Sequence, residues 1–204
     1  MSAGWDFRLP GDEPLMQALN GTGLRGLDAL AAAASSPWFG FPVLLAMAAW
    51  LVVRRTRAPG WALLQLFLAV GVTDFVGSHL LKPWVGRVRP CFSGFADHVR
   101  LMVVVGHASP SMPSLHAANA FAVAVTLRFL APETAVVMFP VAVVIALSRV
   151  FVGVHWPSDV VLGAAYGVGV AVGLEQLARR LRERRAAPAV SAAAGAQPSS
   201  RSLP

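Results

Sequence analysis

The chain has 204 residues, of which 56% are hydrophobic and only 13% are charged, whereas a typical soluble domain has about 25% charged residues. A mean hydropathy of +0.61 leaves too few polar side chains to cover a water-facing globule, so we expect an integral membrane protein rather than a very apolar soluble bundle. The net charge of +7 does not indicate a nucleic-acid partner, because the arginines cluster directly after apolar segments.

The first 36 residues are predicted to form an irregular lead followed by two amphipathic helical pieces. Asp12 and Pro14 favour a helix start, and apolar residues then recur on one helical face. Arg25 and Asp28 make a complete membrane crossing costly, so we expect the segment 12–36 to lie at the membrane interface. A tilted half-span is the alternative. The acidic residues near the start predict no cleavable signal peptide.

Five apolar segments follow and are predicted to cross the membrane. Their ranges are 38–53, 61–81, 113–130, 134–149 and 158–178. The predicted fold class is therefore an all-α integral membrane helical bundle of about five transmembrane helices, preceded by interfacial helices. We divide the chain into a lead over 1–36, a transmembrane domain over 37–180 and a basic cytoplasmic end over 181–204. The tail from Ala186 is predicted to be disordered.

The arginines predict how the bundle is oriented. The clusters at 54–57 and 179–185, together with Arg128, fall on one side of five spans, and the positive-inside rule makes that side cytoplasmic. The loop 82–112 and the turn 149–157 then share the extracytoplasmic face. We expect a multi-pass protein of the inner (plasma) membrane with a cytoplasmic C-terminus and a site on the outer side.

The stretch "KPWVGRVRP" (82–90) directly follows the second predicted span. Lys82, the only lysine of the chain, and the arginines Arg87 and Arg89 offer donors that suit phosphate oxygens. Taken alone, this stretch is equally typical of basic side chains that reach up to lipid headgroups.

The stretch "SMPSLHAANAF" (111–121) opens the third predicted span. Pro113 suits a first helical turn, so the backbone N–H groups near Ser114 and His116 would be free to bind an anion. His116 could exchange a proton with whatever binds there. An ordinary helix cap with a histidine at the interface is the simpler alternative.

The stretch "SRVFVGVHWPSD" (148–159) lies between the last two predicted spans. His155 and Asp159 are four residues apart, and Pro157 indicates that a helix begins between them. Asp159 could then fix the tautomer of His155 and leave its other nitrogen free to attack. Arg149 would add another anion-binding group. The alternative is a buried Arg149–Asp159 ion pair with an uninvolved histidine.

Together, the three stretches bring cations, two histidines and an aspartate to helix ends on one face, which predicts a phosphate pocket with a nucleophile and an acid. No carboxylate-rich set suits magnesium, and the single cysteine, Cys91, matches no metal-site spacing, so we expect no metal and no cofactor. A transporter with charges near the membrane midplane is the alternative from another functional class.

The combination Lys82-x6-Arg89-Pro90, Pro113-Ser114-x-His116 and Ser148-Arg149-x5-His155-x3-Asp159 resembles the type-2 phosphatidic acid phosphatase family, from about residue 27 to residue 178. The resemblance implies a metal-independent membrane lipid phosphatase. It implies that His155 forms a phosphohistidine, that His116 protonates the leaving oxygen and that Asp159 orients His155. It further implies phosphate binding by four residues, namely Lys82, Arg89, Ser114 and Arg149. The family is related to vanadium haloperoxidases, but the predicted spans argue against that activity.

One departure concerns the residue between Ser114 and His116. Family phosphatases often have glycine there, whereas this chain has Leu115, as do relatives that transfer a phospho-group to an alcohol. Hydrolysis is the favoured hypothesis and transfer is the alternative. The expected substrate is a lipid phosphate or diphosphate: undecaprenyl diphosphate or phosphatidylglycerol phosphate in the first place, then phosphatidic acid or a lipid A phosphate. The oligomeric state cannot be predicted.

Asp74, Arg87 and the loop 91–110 could support the site. Asp74 lies inside the second predicted span and could steady the site through His79 or a water, as an intramembrane acid often marks a functional site. Arg87 is kept as a possible supporting residue. The loop 91–110 could act as a lid or recognise the headgroup, and its apolar part, 101–106, could dip into the interface.

Overall fold

The structure, a computed structural model, describes residues 4–53, 59–106 and 109–194. Within these ranges the chain is all helical apart from turns, loops and one isolated bridge between Trp5 and Arg87. The helices are α1 (Asp12–Asn20), α2 (Arg25–Ser35), α3 (Pro37–Val53), α4 (Pro59–Val76), α5 (Lys82–Val85), α6 (Leu115–Leu130), α7 (Ala135–Phe151) and α8 (Pro157–Ala194).

Helices α4 and α5 are joined without a break by a π turn over Gly77–Leu81. A π turn holds about one residue more than an α turn, which has about 3.6 residues. Asp74 and Lys82 are eight residues apart. Because the π turn takes up one of these residues, the angle between the two side chains is that of about seven α-helical residues, or about two turns. The two side chains consequently lie on one face of the continuous helix instead of being rotated apart.

Helix α6 is the centre of the bundle and packs against α4, α7 and α8. Its buried face consists largely of alanine and valine, including Ala117, Ala118 and Ala122. Helix α8 approaches so closely that a Cβ atom added to Gly163 would lie 2.4 Å from the Ser114 carbonyl oxygen, and one on Gly167 would lie 2.0 Å from the Ala118 carbonyl oxygen. Small residues spaced by four allow this contact between helix backbones.

Among the described residues, three helical segments are long and apolar enough to cross a membrane: Gly60–Val85, Pro132–Phe151 and Pro157–Arg184. The pair Arg25–Ser35 and Trp38–Trp50, bent by 56°, would be a fourth if it forms one broken span. Helix α6 is apolar but, with 16 residues, is shorter than the roughly 20 that usually cross a bilayer. The predicted class, an all-α integral membrane bundle, is confirmed, whereas the number of five spans stays a prediction.

Two predicted boundaries differ from the structure. The third span was predicted from about residue 113, and α6 begins at Leu115, because Ser114 has an extended backbone and serves as the N-cap. The tail was predicted to be disordered from Ala186, but α8 continues to Ala194, in keeping with the high helix propensity of its alanines. The arginine cluster at 54–57 and the residues from 195 onward lie outside the described residues.

Candidate active site

A cavity of about 420 Å³ opens between α3, α4, α6 and α7. Apolar side chains line most of its wall, for example Val70, Val123 and Ile145. At one end, five of the residues predicted from sequence come together: Lys82, Arg89, His116, Arg149 and His155. The three sequence motifs, which lie on different helices and loops, therefore meet at one cavity. Ser114 and Asp159 are fully buried next to it.

Lys82 and Arg89 are held in place by the loop that precedes α6. The Lys82 ammonium donates to the Pro110 carbonyl oxygen at 2.9 Å and to the Ser109 hydroxyl at 3.4 Å. The Arg89 Nε donates to the Ser109 carbonyl oxygen at 2.9 Å, and its Nη1 donates to the Val154 carbonyl oxygen at 2.9 Å. Neutral partners fix both cations without neutralising them, so their charge stays available for an anion.

Arg149, in the last turn of α7, is tied to the end of α2. Its Nη1 donates to the Ser35 carbonyl oxygen at 2.9 Å and also to the Ser35 hydroxyl. Its Nε is buried and has no hydrogen-bond partner among the described residues. A buried donor of this kind carries a desolvation penalty until an acceptor, such as a phosphate oxygen, binds to it.

His155 lies in the short loop between α7 and α8, and only 2% of its surface is exposed. Burial, followed by the positive charges of Arg89 and Arg149, holds the pKa of His155 well below its usual value. The imidazole is therefore neutral near pH 7, which is the state a nucleophile requires. Its Nε2 lies 3.3 Å from the Arg89 Nη1, so an anion bound to Arg89 is next to this nitrogen.

Asp159, in the first turn of α8, lies beside the other nitrogen of His155. The distance from its Oδ2 to the His155 Nδ1 is 3.5 Å, which is close but longer than a hydrogen bond. Oδ2 instead accepts hydrogen bonds from the Trp156 backbone N–H at 2.9 Å and from the Ser111 hydroxyl. The carboxylate is thus held by Ser111 and Trp156, while the His155 Nδ1 is buried without a hydrogen-bond partner among the described residues.

Arg87 does not face the cavity, so the hypothesis that it offers donors to phosphate is wrong. The side chain is fully buried, and its Nη1 donates to the Asp159 Oδ1 at 2.6 Å. Its Nη2 donates to the Asp12 Oδ2 at 2.5 Å, and its Nε donates to the Phe7 carbonyl oxygen at 3.1 Å. Because its three nitrogens donate to Phe7, Asp12 and Asp159, Arg87 connects the N-terminal segment to the start of α8.

Ser114, Leu115 and His116 begin α6. The Ser114 hydroxyl is buried without a hydrogen-bond partner among the described residues, while its backbone N–H donates to the Asp159 carbonyl oxygen at 3.0 Å. Leu115 lines the cavity and also fills the space over Gly77, where an added Cβ would lie 2.3 Å from its Cδ2. The departure at Leu115 is thus matched by a glycine in the π turn.

Asp74 lines the cavity about two turns before Lys82, but the predicted link through His79 is wrong. The His79 Nδ1 is 3.0 Å from the Phe75 carbonyl oxygen of its own helix. Asp74 instead accepts a hydrogen bond from the Asn119 Nδ2 at 3.4 Å. Asn119 also lines the cavity, one turn after His116.

Four residues that support the site were missed in the sequence: Asp12, Ser35, Ser111 and Asn119. Each forms its contact with a residue far along the chain, such as Asp12 with Arg87 and Ser35 with Arg149, so short-range spacing gave no signal. Asn119 was the exception, because it stands three residues after His116 and therefore on the same helical face. No group of three or more His, Cys, Asp and Glu side chains arranged for a metal ion occurs in the part of the chain that the structure describes.

A sequence model of the PAP2 superfamily matches residues 62–183. The chain belongs to the PAP2 superfamily. The region matched includes the three motifs but not Asp12 or Ser35.

Relatives with curated names agree with this membership. A decaprenylphosphoryl-5-phosphoribose phosphatase of Mycobacterium tuberculosis is 34% identical over 163 residues, which are 72% of this chain and 87% of that protein. A lipid A 1-phosphatase of Rhizobium etli is 34% identical over 110 residues, which are 52% of this chain. The match spans about half, 46%, of that relative. The curated relatives are thus named as phosphatases of different lipid phosphates.

The fold is shared with solved PAP2 structures. The transmembrane PAP2-type phosphatidylglycerolphosphate phosphatase of Bacillus subtilis superimposes with a TM-score of 0.64 at 24% identity, over 83% of this chain and 85% of that one. At this level of identity the similarity shows the fold alone.

Proposed function

We propose that the chain is a membrane phosphohydrolase that removes phosphate from a lipid phosphate or diphosphate through a phosphohistidine, without a metal ion. The observation that carries this proposal is the cavity itself. One end gathers Lys82, Arg89, Arg149 and two histidines, and the remaining wall is mostly apolar. A molecule with a phosphate at one end and a hydrocarbon chain at the other matches this division.

In the first step, the His155 Nε2 attacks phosphorus, a P–N bond forms and the bond to the leaving oxygen breaks. Lys82, Arg89 and Arg149 bind the equatorial oxygens, on which charge is spread in the transition state. The buried Ser114 hydroxyl and the unpaired Arg149 Nε add hydrogen bonds. His116 donates a proton to the leaving oxygen, and Asp159 stabilises the positive charge that develops on His155.

In the second step, a water molecule attacks phosphorus, the P–N bond breaks and inorganic phosphate leaves. His116, now neutral, accepts a proton from this water, which returns both histidines to their starting states. Substrates proposed for this cycle are phosphatidylglycerol phosphate, undecaprenyl diphosphate, phosphatidic acid and a lipid A phosphate. The relatives support a lipid phosphate in general, since they are named for different lipids.

The experiment is phosphate release by the purified protein in detergent with excess EDTA, using these four lipids. His155→Ala should reduce the rate to background. The control is His98→Ala, because His98 stacks on Phe95, with ring centroids 4.9 Å apart, and does not line the cavity. Release that survives His155→Ala, or that EDTA abolishes, would contradict the phosphohistidine mechanism.

Transfer of the phospho-group to an alcohol is the second candidate, and Leu115 is the observation that favours it. Its side chain lines the cavity beside His116, at the position where the family's transferring relatives also have leucine. In a transferase, adding glycerol would increase turnover and yield glycerol phosphate instead of inorganic phosphate. Hydrolysis predicts that glycerol leaves the rate of phosphate release unchanged.

A further inference from the structure

We propose that Asp74 and Asn119 form a subsite for a hydroxyl group on the leaving alcohol, so that the preferred substrates carry a hydroxyl close to the phosphate ester. This inference rests on the proposed function, and it selects among the lipids that function allows. Asp74 lies on α4 and Asn119 on α6. Both side chains line the same cavity as the phosphate cluster, by which we mean Lys82, Arg89, His116, Arg149 and His155.

Polar side chains in an otherwise apolar cavity wall are costly unless a partner or a ligand compensates them. Besides the phosphate cluster, the polar residues lining the cavity in the described ranges are Ser36, Asp74 and Asn119. Asp74 lies within the candidate span Gly60–Val85, where an acidic side chain is costly unless it faces a polar partner or a ligand. A purely structural pair would be expected to satisfy its own hydrogen bonds.

Asp74 and Asn119 do not satisfy all of their hydrogen-bonding groups with each other. Asn119 donates from Nδ2 to the Asp74 Oδ1 at 3.4 Å, which directs the Asn119 Oδ1 elsewhere. That Oδ1 is buried and has no hydrogen-bond partner among the described residues. The pair therefore presents acceptors, so its missing partner is a donor. The positive charges of Lys82, Arg89 and Arg149 disfavour a cationic donor, and among neutral donors a hydroxyl group is the one that a lipid phosphate carries close to its ester.

Asp74 and Asn119 also lie close to the place that the leaving oxygen would occupy. His116 is the group proposed to protonate the leaving oxygen, and Asn119 is one helical turn further along the same face of α6. The π turn over Gly77–Leu81 brings Asp74 to the same face as Lys82, so both members of the pair face the cavity. The carbon atoms next to the leaving oxygen would pass this pair on their way to the apolar part of the cavity.

Phosphatidylglycerol phosphate has a hydroxyl on the carbon next to the one that carries the leaving oxygen, and sugar phosphates have comparable hydroxyls. Phosphatidic acid and prenyl diphosphates have none at this place. The subsite therefore predicts a preference for polyol or sugar phosphates of lipids. It would contribute little to binding the phosphate itself, which all these lipids share.

The experiment compares phosphatidylglycerol phosphate with its propanediol analogue, which is identical except that the central hydroxyl is absent. In the wild-type protein, kcat/KM should be about 10-fold to 100-fold higher for the hydroxyl-bearing lipid, as expected for a hydrogen bond to a charged group. Asn119→Leu and Asp74→Leu, which keep the size but remove the acceptors, should lower kcat/KM for that lipid and change it little for the analogue.

The control variant is Gln65→Leu on the same helix, because Gln65 donates to the Glu175 Oε2 at 3.0 Å and does not line the cavity. It should leave the preference between the two lipids unchanged. Equal kcat/KM for both lipids in the wild type, or an equal loss for both in the variants, would overturn the inference while leaving the phosphatase intact. Release from neither lipid by folded protein would instead overturn the proposed function for these substrates, and the inference with it.

Discussion

Arg87 links the N-terminal segment to the site without facing the cavity. Its guanidinium lies between the carboxylates of Asp12 and Asp159, at 2.5 Å and 2.6 Å, and all three side chains are almost completely buried. Asp12 also accepts hydrogen bonds from the Ser158 backbone N–H at 3.0 Å and from the Ser158 hydroxyl at 2.9 Å. We therefore propose that Asp12 is a positioning residue, which acts on His155 through Arg87 and Asp159.

We expect Asp12→Ala to lower kcat by about 10-fold to 100-fold with little change in KM, because Arg87 and Asp159 would shift while the phosphate cations stay in place. Asp12→Asn, which retains an acceptor oxygen, should recover part of the loss. Steady-state kinetics of phosphate release, with thermal unfolding of each variant in detergent, would separate catalysis from stability.

The ion pair between Asp28 and Arg100 on the surface provides the control for Asp12→Ala. Asp28 pairs with the Arg100 Nη2 at 2.5 Å, but 42% of the Arg100 side chain is exposed, and such pairs contribute little. Asp28→Ala should therefore leave kcat unchanged. A kcat for Asp12→Ala equal to that of Asp28→Ala would show that the N-terminal segment has no part in positioning the nucleophile.

At the scale of the elements, the contact between α6 and α8 brings the motif at 111–121 next to the motif at 148–159. Ser114 and His116 begin α6, Asp159 begins α8, and the Ser114 backbone N–H donates to the Asp159 carbonyl oxygen. The close backbone approach at Gly163 and Gly167 maintains this geometry. A change in the spacing between these helices should therefore affect stability and activity together.

Gly167→Ala tests this contact. The added methyl group would lie 2.0 Å from the Ala118 carbonyl oxygen, so the helices must separate. We expect a loss of about 1–3 kcal/mol in the free energy of unfolding, as for other overpacked contacts. Gly169→Ala is the matched control, since nothing lies within 4 Å of its added Cβ. Thermal unfolding of both variants should show a lower midpoint for Gly167→Ala alone, and equal midpoints would contradict the close packing.

The elements also show how far the sequence can be interpreted alone. Hydropathy predicted the apolar helices, and the three motifs predicted the residues of the phosphate cluster. Both kinds of prediction succeeded because each depends on residues that are close together in the sequence. The π turn could not be predicted, since no local residue pattern marks it and Gly77 packs against Leu115, which lies on another helix. The partner of Arg87 could not be predicted either, because Asp12 is 75 residues away and belongs to a segment that resembles an ordinary amphipathic helix.

At the scale of the whole molecule, the site lies at one end of the bundle, and the charge pattern predicts that this end is extracytoplasmic. The loop with Arg89 and the loop with His155 lie at this end, whereas the arginines 179–185 follow far along α8. By the positive-inside rule, the latter should face the cytoplasm. A lipid phosphate would then be dephosphorylated in the outer leaflet of the inner membrane.

Cysteine labelling in intact cells measures this orientation. In a Cys91→Ser background, Val104→Cys places a thiol at a fully exposed position of the loop before α6, and Arg182→Cys places one on the exposed part of α8. A membrane-impermeant maleimide should label position 104 in intact cells and position 182 only after the inner membrane is permeabilised. The reverse pattern would place the site on the cytoplasmic side.

Lys82 is the only lysine in the chain, and its ammonium lies at the cavity with 7% of the residue exposed. All other basic side chains, apart from the histidines, are arginines. Amine-selective acylation therefore has one side-chain target in the whole protein, in addition to the terminal amine. If the cavity binds phosphate compounds as proposed, the bound compound would shield the ammonium from the reagent. Mass spectrometry of the peptide that contains this residue would then measure how much of the cavity is occupied.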